Sequence, residues 1–117
     1  MITGIKNIVV FVTDLARAKR FYVELLKLPL AQESVTMMEL TPAGGAALGV
    51  ALAVTDDARA LAGRHTGITL TVQGIEQFCR DLTTAGVAFE EPLEVSPWGK
   101  MAVVKDPDGN LFALVEL

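Results

Sequence analysis

The chain repeats itself. A shift of 60 residues lays Ile8-Val9-Val10-Phe11-Val12-Thr13-Asp14-Leu15 over Ile68-Thr69-Leu70-Thr71-Val72-Gln73-Gly74-Ile75. Each copy is a short β-branched run, a polar break and then a helical pattern. A chain built this way must fold as two similar halves. Each half holds one helix and a few strands, and each has one apolar face to bury.

In the first copy Leu15, Ala18, Tyr22 and Leu25 keep helical spacing, flanked by Phe21 and Leu26. Thr13 and Asp14 supply N-cap oxygens, and Pro29 helps to end the helix. In the second copy Ile75, Phe78, Cys79 and Leu82 repeat the pattern, and Gly86 stands where a left-handed C-cap is needed. Three extended segments come after each helix. The first set is about 30–34, 35–41 and 46–54, with Pro42-Ala43-Gly44-Gly45 as a reversal. The second set is 88–94, 100–105 and 111–117, the last two joined by the turn Asp106-Pro107-Asp108-Gly109-Asn110. Each half therefore reads β-α-β-β-β. The first module covers about 1–54 and the second about 67–117, with 55–66 as linker. The expected class is α+β. Its two tandem modules form a curved mixed sheet with a concave cleft and outer helices, and clefts of that kind hold ligands.

Composition narrows the partners. At 117 residues there is room for one such domain, and a chain of this length needs no disulfide or structural metal to fold. One Cys excludes an internal disulfide, and one His excludes a site built from several imidazoles of this chain. A net charge of −4 lacks the basic stripe that nucleic acid requires. With 51% apolar and 21% charged residues the chain is not disordered. The apolar run Ile8 to Val12 is too short for a signal peptide or a membrane span, so a cytoplasmic protein is expected.

Four stretches carry a family likeness: Val12-Thr13-Asp14-Leu15-Ala16-Arg17-Ala18-Lys19-Arg20-Phe21-Tyr22 with Leu25-Leu26, Ala85-Gly86-Val87-Ala88-Phe89, Pro97-Trp98-Gly99-Lys100, and Asp106-Pro107-Asp108-Gly109-Asn110. Over nearly its whole length the chain resembles the vicinal oxygen chelate superfamily. That group includes glyoxalase I, extradiol dioxygenases, fosfomycin resistance enzymes and bleomycin-binding resistance proteins. The resemblance implies four metal-ligand positions, on the first and last strand of each half. They fall here on Asn7, Gly49, Gly67 and Ala113. An Asn amide is a weak single ligand and the others offer no side-chain donor, so no metal and no other cofactor is expected. In character the chain is closest to the metal-free resistance proteins.

If those positions mark the cleft, strand alternation supplies its lining. Val9 and Phe11 stand beside Asn7, Thr69 and Thr71 beside Gly67, and Leu111 and Val115 beside Ala113. Ile8, Val10, Val12, Ile68, Leu70 and Val72 face the helices. Met37 and Glu39 are assigned to the cleft, Met38 and Leu40 to the other face. Trp98 either stacks on a planar ligand or packs at the cleft rim or a dimer interface. His65 reads as a solvated linker residue, Cys79 as inert core, and Arg17, Lys19 and Arg20 as a solvated helix face. Met37, Met38 and Met101 are core or pocket wall. Glu39 is the one carboxylate placed in the cleft, as a partner for a cationic ligand, as a general base, or as a solvated edge residue.

Three readings fit these residues. The first is a small-molecule binder, not an enzyme, that sequesters an amphipathic or aromatic ligand such as a cationic or planar natural product, as in antibiotic resistance. The second is a glyoxalase-like lyase or isomerase with an unforeseen metal site or with Glu39 as base. The third is a dimerisation or interaction module with a closed cleft. A homodimer is expected, with no nucleic-acid or membrane partner.

Overall fold

Val10 and Val12 on the first run, with Ala18, Phe21 and Tyr22 on the helix behind it, are all at most 3% exposed. Together they draw the first half into a layer of helix on sheet. The computed structural model describes all 117 residues as two compact units, Met1–Ala62 and Gly63–Leu117. The fold is α+β, and each unit carries one four-stranded mixed sheet.

The first unit comprises β1 (Asn7–Val12), α1 (Leu15–Lys19), β2 (Leu30–Glu33), β3 (Met37–Leu40), β4 (Ala47–Leu52) and α2 (Asp56–Ala60). Its sheet order is β1-β4-β3-β2, with β1 parallel to β4 and the other pairs antiparallel. A parallel pair needs a long crossover, and the chain between β1 and β4 provides it. Asp14 caps α1 as the sequence anticipates, its carboxylate accepting from Arg17 N at 3.0 Å.

The helix then departs from the expected spacing. Residues Arg20–Leu25 continue α1 as a π-helical turn, in which Leu26 N donates to Phe21 O, five residues back. The wider turn advances the phase by one residue. Leu26 is therefore buried at 7% exposure, and Leu25, the residue that α-spacing places on the stripe, is only half-buried. Termination falls at Lys27, whose φ of 61° is left-handed, two residues before Pro29. The stretch read as a linker contains α2, capped by Thr55, and ends in the first residues of β5.

The second unit comprises β5 (His65–Thr71), α3 (Ile75–Thr84), β6 (Phe89–Ser96), β7 (Gly99–Lys105) and β8 (Leu111–Glu116), ordered β5-β8-β7-β6 with β5 parallel to β8. Ile75, Cys79 and Leu82 form the buried stripe of α3, which contacts β8. Gly86 ends that segment in the left-handed region at φ 87°, with Gly86 N donating to Thr83 O and Val87 N to Leu82 O. No helix is long and apolar enough to cross a membrane.

Candidate functional site

Alternation divides each sheet into a covered face and an open one. In the first unit Val10, Val12, Met38, Leu40, Leu48 and Val50 are buried. Their neighbours Asn7, Val9, Phe11, Met37 and Glu39 are half-buried and share the opposite face, as the parity argument expects. Register sets them in rows: Val9 beside Gly49 beside Glu39, and Phe11 beside Ala51 beside Met37. The central strand β4 thus presents only Ala47, Gly49 and Ala51 between taller walls. A depression of ≈ 260 Å³ takes in Asn7, Met37 and Glu39, and also Lys6 and Gln32, which sequence reasoning missed. Gln32 could have been found from pairing, since it lies opposite Glu39. Lys6 precedes the strand and had no periodic signal.

The second unit repeats the plan. Thr69, Ala113 and Val103 form one row, and Thr71, Val115 and Met101 the next. Leu111 stands on the same strand parity as Ala113. Thr69 and Thr71 are exposed. Trp98 sits in the two-residue turn of the β6–β7 hairpin, where Ser96 pairs with Gly99 and Trp98 N donates to Ser96 Oγ. The residue is 88% exposed and borders a ≈ 370 Å³ depression together with Met101, Val115, Glu94 and Leu117. The structure therefore brings Trp98 to the end of the second unit's open face. Glu94 was missed because the sequence reading ended β6 there, whereas the strand continues to Ser96.

His65 belongs to the second unit's sheet. It opens β5 opposite Leu111, and a bulge of Thr66 and Gly67 precedes the next pair, Ile68 with Phe112. Gly67 N donates to His65 Nδ1, and Thr66 Oγ1 donates to Leu111 O at 2.6 Å. Gly67 has φ 72° and stands outside the regular ladder, a conformation that glycine permits. Counting residues could not show this, because a bulge alters register without altering composition.

The donor chemistry of the four expected ligand positions does not fit a divalent cation. Asn7 contributes one amide, Ala113 a methyl, and Gly67 lies in the bulge. At Gly49 the space that a ligating side chain would enter is already filled. A Cβ built there would lie 2.8 Å from Met37 Cε and 3.2 Å from Val9 Cγ2. No three His, Cys, Asp or Glu side chains converge elsewhere in the chain.

Charge on the second unit is organised around the start of α3. Gly74, left-handed at φ 68°, offers no side chain to cap the helix. Glu116 at the end of β8 does so instead, accepting from Ile75 N at 3.1 Å and Gly74 N at 2.8 Å. Those two backbone donors, Ile75 first, hold its carboxyl below the ordinary range. Lys100 Nζ donates to both oxygens of Glu76 at 2.9 Å, which lowers the acid and raises the amine. Burial pushes the Cys79 thiol up, in keeping with an inert core residue.

Because the folded-state pKa of Glu116 is depressed, its contribution is present above the unfolded pKa and lost as pH falls through the folded one. Glu116→Gln is therefore expected to lower Tm at neutral pH, and the gap to wild type should close below about pH 4. Calorimetric scans across pH check it, and a gap independent of pH overturns the capping role.

The same architecture occurs in known proteins. Residues 4–114 match the model of the Glyoxalase/Bleomycin resistance protein/Dioxygenase superfamily. A solved member of that superfamily from Sphaerobacter thermophilus DSM 20745 is 30% identical, with a TM-score of 0.82, covering 99% of this chain and 98% of that one. TnmS3, an antibiotic-binding protein from Streptomyces sp. CB03234, is 29% identical, with a TM-score of 0.77 and 98% and 96% coverage. A glyoxalase/bleomycin resistance protein from the same Streptomyces is 28% identical, with a TM-score of 0.74 and 96% and 99% coverage. Comparison with the curated proteins found no match.

Proposed function

Since this chain belongs to the glyoxalase/bleomycin resistance protein/dioxygenase superfamily, we propose that it is a metal-free binding protein. Its ligand is a planar, amphipathic small molecule of the antibiotic type, which it sequesters without turnover. The observation that carries this reading is the open face of the first unit. There Val9, Phe11 and Met37 rise around a floor of Ala47, Gly49 and Ala51, and Glu39 stands among them, with Glu33 and Lys6 bordering the same depression. Such a surface holds a flat apolar body by burial and a positive group by charge. The likeness to an antibiotic-binding protein supports the ligand class. A donor set of one amide, a methyl and two glycines offers a Lewis acid no purchase, which favours binding over metal-assisted isomerisation or oxygenation.

Trp98, the chain's single tryptophan, offers a separate stacking surface at the end of the second unit's own open face. Thermal shift and the fluorescence of the probes themselves are to be measured with 1-naphthylmethylamine and 9-anthracenylmethylamine, and thermal shift with planar cationic antibiotics. A ligand at about 100 times its Kd adds about 2.7 kcal/mol, a readily measured rise in Tm. Phe11→Ala, on the first unit's open face, is expected to weaken binding by about threefold to tenfold, the worth of one stacking contact. A Tm that ignores every such compound, or stoichiometric metal in protein purified without chelators, overturns the proposal.

A further inference from the structure

Met37 is seated over Gly49, and that seat bears on which ligands fit. Met37 lies opposite Ala51, so it is the diagonal neighbour of Gly49 on the adjoining strand. Its terminal methyl occupies the volume that any larger residue at 49 would fill, 2.8 Å from the position of a Cβ. Val9 Cγ2 at 3.2 Å and Asn7 Nδ2 at 3.8 Å close the sides of that seat. With its methyl in the seat, the thioether chain fills the floor of the open face.

The second unit supplies an internal control. Met101 is related to Ala113 as Met37 is to Gly49: it lies opposite Val115, two residues further along β8. Position 113 already carries a methyl, so no such seat is vacant there. Met101 is 42% exposed, whereas Met37 is half-buried. The methionine diagonal to glycine is thus the less exposed of the two, although Met101 also faces Val115 where Met37 faces Ala51.

We propose that Met37, seated on Gly49, is the residue that sets ligand size in this protein. Down, it offers a low, polarizable floor on which a fused aromatic ring lies flat. Displaced, it stands up into the face and excludes that ring. This inference rests on the binding reading above and adds the residue pair that determines specificity.

Gly49→Ala is the selective perturbation. Gly49 is not in the left-handed region, so alanine suits the backbone. The nearest atom to the new methyl is the far end of a flexible side chain, so Met37 yields rather than the sheet. The test is a double-mutant cycle of Gly49→Ala and Met37→Ala, read by fluorescence titration with 9-anthracenylmethylamine and 1-naphthylmethylamine. These probes carry the same ammonium and differ by one fused ring. Gly49→Ala alone is expected to weaken the three-ring probe about tenfold or more, and the two-ring probe less. In the Met37→Ala background, where Val9 Cγ2 at 3.2 Å is the closest atom left and need yield only a few tenths of an ångström, the same substitution should change either affinity by less than about twofold. Methyl-labelled methionine NMR gives a readout that needs no ligand. Of the four methionines, Gly49→Ala should shift Met37 and leave Met38, 1% exposed on the covered face, unmoved.

An equal effect of Gly49→Ala in both backgrounds, or an unshifted Met37 methyl, overturns the inference while leaving the binding reading intact. Failure of wild type to bind either probe, or any of the planar antibiotics, overturns both.

Discussion

Asn110→Ala should destabilise the protein by about 2–4 kcal/mol without touching either open face, because it removes the centre of a buried polar network. Asn110 is 1% exposed and Asp106 4%, the two buried polar residues of the chain. Asn110 Nδ2 donates to Asp106 Oδ2 at 2.8 Å, and Asn110 N donates to Asp106 Oδ1 at 2.8 Å. Asn110 Oδ1 accepts from Gly63 N at 2.9 Å and Arg64 N at 3.3 Å, which ties the β7–β8 turn to the chain entering β5. Truncation takes one donor from a buried carboxylate and the acceptor from two backbone amides at once. Asn110→Asp separates charge from shape. The second carboxylate would lie against Asp106, so the loss at neutral pH should exceed that of alanine and shrink on acidification, as the pair takes up a proton. Urea denaturation at two pH values checks both. An Asn110→Ala cost within about 0.5 kcal/mol of zero would make the motif an ordinary surface turn.

Phe112→Ala has the largest expected effect of a single side chain, about 3–5 kcal/mol. Phe112 is fully buried, lies between Ile68 and Val104 across the sheet, and shares the covered face with Leu114, itself 1% exposed. Removing the ring leaves a cavity that strands fixed by their hydrogen-bond ladders cannot close. Trp98→Ala, on the exposed hairpin, should by contrast leave the unfolding free energy within about 0.5 kcal/mol of wild type. Equal costs for the two would contradict the division of each sheet into covered and open faces.

Much of this architecture is legible from residue order. The two-copy plan, the Asp14 cap, the left-handed Gly86 and the alternation that separates Val10 and Val12 from Val9 and Phe11 are local signals of period or backbone preference. The candidate lining Asn7, Val9, Phe11, Met37 and Glu39 comes from the same alternation and falls together on one sheet face. Lys6, Gln32 and Glu94 were not visible, because their place depends on where strands begin, end and pair.

Residue order is enough to set the repeat, the succession of strands and helices, and the apolar side of each strand. Those properties depend on neighbours a few residues apart. Four others needed the folded chain: a π turn buries Leu26 in place of Leu25, and a bulge takes Gly67 out of the ladder. Glu116 caps a helix whose N-cap residue, Gly74, stands 42 residues earlier, and the Met37 methyl fills the place of a side chain at 49. The bulge, the cap and the methyl seat are contacts between segments that meet only when the sheets have formed, and the π turn is a phase that α-helical spacing does not encode.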